Sequence, residues 1–212
     1  MNIYQVFTRL YGAWSPAQNL PNGTIESNGV AKFNDFTTDR LQRIKDFGFS
    51  HVWFTGVLEH ATQTDYSHYG IRPDHPWIVK GRAGSPYAIK DYFDVDPDLA
   101  EDVSQRMAEF EALVERTHKA GLKVVIDFVP NHVARSYHSD VAPKDFEDLG
   151  VNDDEMAFSP RNNFYYCWGE PLHTESFVHN GHGGIPYIEY PAKATGNDVF
   201  HAWPGPNDWY ET

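Results

Sequence analysis

Twice in its first 129 residues the chain runs a helical stretch into a glycine and then into an apolar strand, and this repeated order limits the fold more than any other feature. In residues 98–121, Val103, Met107, Phe110, Val114 and Thr117 recur at spacings of four and three, which is one face of a helix. Gly121 is the stop. Residues 122–129 follow as an apolar run without strict alternation, the pattern of a parallel strand covered on both faces. The earlier copy is shorter. Thr37 or Thr38 caps a helix whose stripe is Leu41, Ile44 and Phe47, Gly48 ends it, and residues 49–57 read as a strand. Residues 3–11 read as a strand before both. Strand, helix, strand, helix, strand over 3–129 predicts an α/β fold with a parallel sheet and right-handed crossovers.

Residues 133–212 break the pattern. They are dense in proline, glycine and aromatics and carry no long helical period, so an irregular subdomain is expected there. Short strands are expected in "FYYCWG" (164–169) and "IPYIEYP" (185–191). The domain reading is therefore 1–132 and 133–212.

Charge narrows the partners. With 17 basic against 30 acidic residues the net charge is −13, which disfavours nucleic acid and anionic membranes and leaves neutral ligands unpenalised. No apolar run is long enough to span a bilayer. The start, "MNIYQVFTRL", has no signal-peptide pattern, so the compartment stays open with the cytoplasm favoured. Cys167 is the single cysteine, so no intramolecular disulfide can form, and it reads as a structural thiol. Aromatics make up 15% of the chain, with 6 Trp; such rings suit cores and also the C–H faces of sugars.

The chemistry concentrates in "KVVIDFVPNH" (123–132). Asp127 sits in an apolar strand, Pro130 ends the ladder because it has no N–H, and Asn131 and His132 follow. In βα-repeat folds, ligands gather where strands end. A buried carboxylate needs a cation or hydrogen-bond donors. Asp127 is thus either a structural acceptor for loop amides or part of a site, and spacing alone leaves both open.

"DFVPNH" resembles the D-x-x-x-N-H segment at the third barrel strand of the α-amylase family of glycoside hydrolases, family 13. "YAIKDYFDVDP" (87–97) is similar to that family's "GYDxxDYxxxDP" element, with Tyr87, Asp91, Tyr92, Asp96 and Pro97 matching and Pro86 and Ala88 departing from it. The resemblance covers residues 3–133 and implies the first three β/α units of a TIM (β/α)8 barrel, followed by an insertion like the family's domain B. It implies that Tyr87 stacks on a sugar ring, that His132 hydrogen-bonds that sugar's hydroxyls, and that Asp127 holds an arginine that positions the nucleophile. Asn131 matches a calcium ligand of many members. The family's "LPDLD"-type segment is missing, so no cofactor is required and calcium at Asn131 is the one candidate. The implied partner is an oligo- or polysaccharide of α-linked glucose, together with the remainder of the barrel from a longer parent chain.

Retaining glycosidases need two carboxylates about 5 Å apart. The family places its nucleophile in a G-x-R-x-D segment on strand four and its acid on strand five, both expected after residue 212. The parent is thus expected to be a retaining glycosidase, and the 212-residue chain alone inactive. "GIRPD" (70–74) fits G-x-R-x-D but lies before strand three and contains Pro73, which argues against Asp74 as nucleophile. Glu59 is a weaker alternative partner for Asp127. His179 and His182 in "HNGHGG" are too few for a zinc site. A non-catalytic carbohydrate-binding protein, or a transglycosylase or isomerase of the same family, is the alternative reading.

Overall fold

A computed structural model describes residues 1–12, 23–174, 185–196 and 201–203. The chain forms two compact units: Met1–Glu59 with Asp94–Phe128, and His60–Phe93 with Val129–Thr212.

In the first unit, β1 (Ile3–Phe7), β2 (His51–Thr55) and β5 (Lys123–Ile126) form a parallel sheet in the order β1-β2-β5. Ile3 pairs with His51, and His51 with Lys123, so the strand starts are level. A single helical turn, α1 (Ile25–Asn28), precedes α2 (Thr38–Asp46); α3 is Arg106–Lys119. The strands are shorter than their sequence pattern. After Phe7 the chain turns into a 3-10 helix at Thr8–Leu10, and β5 stops one residue before Asp127.

Thr37 caps α2 by accepting from the Arg40 N–H at 3.4 Å, and Gly48 ends it with φ 93°. Leu41 and Ile44 are buried, but Phe47 is 85% exposed and does not join the stripe. At 3.6 residues per turn Phe47 lies about 120° around the axis from Leu41, whereas Gly48 lies almost above it. α3 shows the same kind of correction. Its buried line is Leu113, Thr117 and Ala120 with Phe110 beside it; Met107 is exposed, about 120° from Leu113. Val103 is buried, but from a 3-10 turn at Val103–Gln105 that precedes α3.

The core joins these faces. Phe33, Phe36, Leu41, Val52, Phe54, Leu113 and Leu122 are essentially solvent-free in one cluster. Burying each such side chain contributes about 1.5–3 kcal/mol before entropy. Phe36 meets Phe54 edge-on at 5.0 Å and Tyr11 stacks on Phe36 at 4.1 Å.

Further along the chain, β3 (Leu58–His60) and β4 (Ile89–Val95) pair as a two-stranded sheet. In the second unit β6 (Tyr165–Cys167) pairs antiparallel with β7 (Ala192–Ala194). The strand expected at 164–169 is thus present. The one expected at 185–191 is not: pairing starts only after Pro191, as a proline lacks the N–H that a ladder needs. Among the described residues of the second unit there are three small clusters, around Ile78 and Leu172, around Ala61 and Val79, and around Val133 and Phe164. Polar clamps supplement them. Arg135 has a fully buried side chain, pairs with Glu189 at 2.7 Å and donates to the Lys193 carbonyl at 2.8 Å.

Candidate functional site

Asp127 follows the last residue of β5 and belongs to the first unit. Its carboxylate is gripped from β2 and the turn after it. The Trp53 indole N–H donates to Oδ1 at 2.6 Å, and the Gly56 N–H donates to Oδ2 at 3.1 Å. Gly56 has φ 74°, a conformation that suits glycine. Each oxygen of a carboxylate has two lone pairs, so both can still receive a further donor. The structural-acceptor role is therefore filled, and the positioning role is left chemically open.

Tyr87, Asn131 and His132 lie in the second unit. Val129, which opens the "VPNH" turn, is held by Tyr92: its hydroxyl donates to the Val129 carbonyl at 2.5 Å and packs its ring on Tyr137 at 5.7 Å. Burial pushes the Tyr92 phenol up, which keeps this donor protonated. The Asn131 amide nitrogen sits 3.2 Å from His132 Nδ1. Tyr87 is 43% exposed, so a ring face is available, and its N–H donates to the Ser85 hydroxyl at 3.3 Å.

Other acidic residues in and just after "YAIKDYFDVDP" are bonded to the surrounding chain. Asp91 is solvent-free and accepts from the Phe93 and Asp140 N–H groups at 2.7 and 3.1 Å. Asp96 caps the 3-10 helix Pro97–Leu99 by accepting from the Asp98 N–H at 3.0 Å. Arg9 forms an ion pair with buried Asp98, and Arg106 with buried Asp94.

Asp74 is held as part of a loop clamp. It accepts from the Thr62 N–H at 3.0 Å and lies 3.4 Å from the buried ammonium of Lys90. Both contacts are to Oδ2, while Oδ1 is buried without a hydrogen-bond partner among the described residues. Glu59 is the middle residue of β3 and is 1% exposed. Cys167 is half-buried, and burial followed by Glu170 pushes its thiol up, away from a reactive thiolate. His179, His182 and the closing "NDWYET" lie outside the described residues.

Trp53 and Gly56 were missed from sequence. Trp53 stands 74 positions from Asp127, and no local pattern links them. The only available signal was negative: a carboxylate in an apolar strand must find donors, and neighbouring strands are where they come from.

The family description "Alpha amylase, catalytic domain" matches residues 34–181, which contain both quoted segments. Maltase A1 of Drosophila melanogaster is 25% identical over 182 residues, 79% of this chain and 25% of that protein. The 1,4-alpha-glucan branching enzyme GlgB of Nitrosomonas europaea is 25% identical over 169 residues, 80% of this chain and 17% of that protein. The crystal structure of an alpha-amylase from Lactobacillus plantarum superposes with a TM-score of 0.43 at 32% identity, over 64% of this chain and 24% of that one. The chain thus spans a quarter or less of the length of these relatives.

Proposed function

We propose a function from one premise: the chain belongs to the α-amylase family of glycoside hydrolases. It is the N-terminal part of an enzyme that acts on α-linked glucans. Residues 1–132 supply the first three β/α units of a (β/α)8 barrel, and residues 133–212 a domain-B-like insertion. The whole enzyme works by retaining double displacement through a covalent glycosyl-enzyme, with nucleophile and acid on later strands. Tyr87 stacks on the sugar at the cleavage point and His132 donates to its hydroxyls. Asp127, already steadied by Trp53 and Gly56, uses its remaining lone pairs to orient an arginine beside the nucleophile. Asn131 is the calcium candidate: its amide carbonyl is a hard oxygen of the kind that ion takes.

The observation that carries this reading is that the family match contains both the Tyr87 and the Asp127–His132 segments, in family order. The relatives named above include a maltase and a branching enzyme, so hydrolysis and glucan transfer are both candidate reactions for the whole enzyme.

The test uses the full-length protein with soluble starch and maltooligosaccharides, and proton NMR of the first anomer released. Retention is expected, and Asp127→Asn is expected to cut kcat/KM about 100-fold, the scale of a misplaced reacting group. No action on any α-glucan sinks the function. Full activity in Tyr87→Ala and Asp127→Asn sinks the site assignment. Turnover by residues 1–212 alone, lost in Glu59→Gln, would overturn the placement of nucleophile and acid on later strands.

A further inference from the structure

We infer that residues 158–168 form a separate sugar-binding platform, which takes one or two glucose units of an α-linked glucan strand. Three large aromatics stand in solvent within eleven positions: Phe158 at 62% exposure, Tyr165 at 70% and Trp168 at 51%. Phe158 and Tyr165 form a loosely stacked pair, with ring centroids 6.4 Å apart and planes 20° from parallel. With Trp168 and Tyr166 they border a cavity of about 290 Å³. Small-ligand pockets start at about 300 Å³, and a protein partner would need about 800 Å² of surface, so the size suits one or two rings.

The backbone around the platform is tied together by its own chain. Asp153 accepts from the Asn163 and Phe164 N–H groups at 2.7 and 2.9 Å and from the Tyr166 hydroxyl at 3.1 Å. Asp154 accepts from the Met156 and Ala157 N–H groups at 2.9 and 3.1 Å. The Asn162 side chain bridges the Asp154 backbone, accepting from its N–H at 2.9 Å and donating to its carbonyl at 2.8 Å. β6 carries Tyr165 and is itself paired to β7. A surface held this way loses little entropy on binding, which is the setting in which aromatic contacts contribute most.

Charge selects the ligand. Asp153, Asp154 and Glu155 stand together on a chain of net charge −13, so phosphates, nucleotides and acidic sugars are repelled. A neutral pyranose is not. Its C–H face lies on the rings, and its hydroxyls meet the Tyr165 hydroxyl and the Trp168 indole N–H. The glucose identity of that pyranose rests on the function proposed above; the platform itself does not.

The test is affinity electrophoresis of the full-length protein through amylopectin, beside turnover of a short α-glucoside too small to span both sites. In Tyr165→Ala/Trp168→Ala, retardation by amylopectin is expected to weaken about 10-fold, with short-substrate turnover unchanged. Tyr165→Phe/Trp168→Phe keeps the ring faces and should restore most of the retardation. Equal retardation of the alanine variant and the parent overturns the platform, while turnover of α-glucans in the same samples leaves the proposed function standing. If the parent protein neither cleaves nor is retarded by any α-glucan, the function and the glucan occupant fall together. Loss of short-substrate turnover in the phenylalanine variant would place these residues in the reacting site and overturn a separate platform.

Discussion

Replacing Arg135 by methionine tests whether polar clamps, and not apolar burial alone, hold the second unit together. The Arg135 side chain is fully buried and its partner Glu189 is only 12% exposed. Breaking a buried pair by removing one partner costs about 3–5 kcal/mol, because the charge left behind is uncompensated. Two features lower that figure here. Glu189 keeps two donors, the Tyr187 hydroxyl at 3.0 Å and the Lys193 N–H at 2.8 Å. Arg135 Nε and Nη2 are buried without a hydrogen-bond partner among the described residues, so methionine also removes an unmet desolvation cost. About 2–3 kcal/mol of local stability should be lost, or about 30- to 150-fold in an opening equilibrium. Native-state hydrogen exchange on the full-length protein reads this directly. The reporting amides are Val133, bonded to the Thr195 carbonyl, and Leu172, bonded to the Glu189 carbonyl. Strand amides of β1 and β2 serve as controls in the first unit. Arg135→Met/Glu189→Gln removes the stranded charge and should recover about 10-fold of the exchange rate. Exchange in the single variant within about threefold of the parent would refute the argument, and so would a double variant worse than the single.

The glycines and tyrosines give two further expectations. In Gly84→Ala the new methyl would stand 1.7 Å from the Ala61 carbonyl oxygen at φ 74°, so backbone must move, and a loss of about 3 kcal/mol or more is expected in urea unfolding. Gly81→Ala has φ 67° with nothing within 4 Å, so only the left-handed backbone cost of about 1–2 kcal/mol applies; equal losses in the two variants would count against the steric account. Burial, with neighbouring carboxylates, pushes the Tyr137, Tyr166 and Tyr187 phenols up. A folded pKa above the unfolded value of about 10 means that the folded state binds more protons there, so this stability is complete below that pH and declines as pH rises past it. Phenolate absorbance followed with circular dichroism should show some of the 12 tyrosines ionising only as structure is lost, and fewer such late groups in Tyr187→Phe. Full ionisation near pH 10 with native dichroism intact would contradict it.

What the amino-acid order determined alone is the existence and order of the elements that have a short period. The helix over 38–46, its Thr37 cap and Gly48 stop, the helix up to Lys119, the parallel strands and the two family segments all follow from neighbours within a few residues. Helix phase was less legible. Met107 and Val114 fit a face as well as Leu113 and Thr117 do, and only contact with the rest of the core decides which side is covered. The strand at 192–194 also escaped, because its place is set by pairing with Tyr165–Cys167 and not by its own Ala-Lys-Ala composition. The site shows the same division. Asp127, Asn131, His132 and Tyr87 are singled out by the two segments that resemble the family, but the donors that fix Asp127 come from another strand. Tertiary structure alone brings the Trp53 indole across 74 positions to that carboxylate, since a side-chain hydrogen bond depends on distance in space and leaves no periodic trace along the chain.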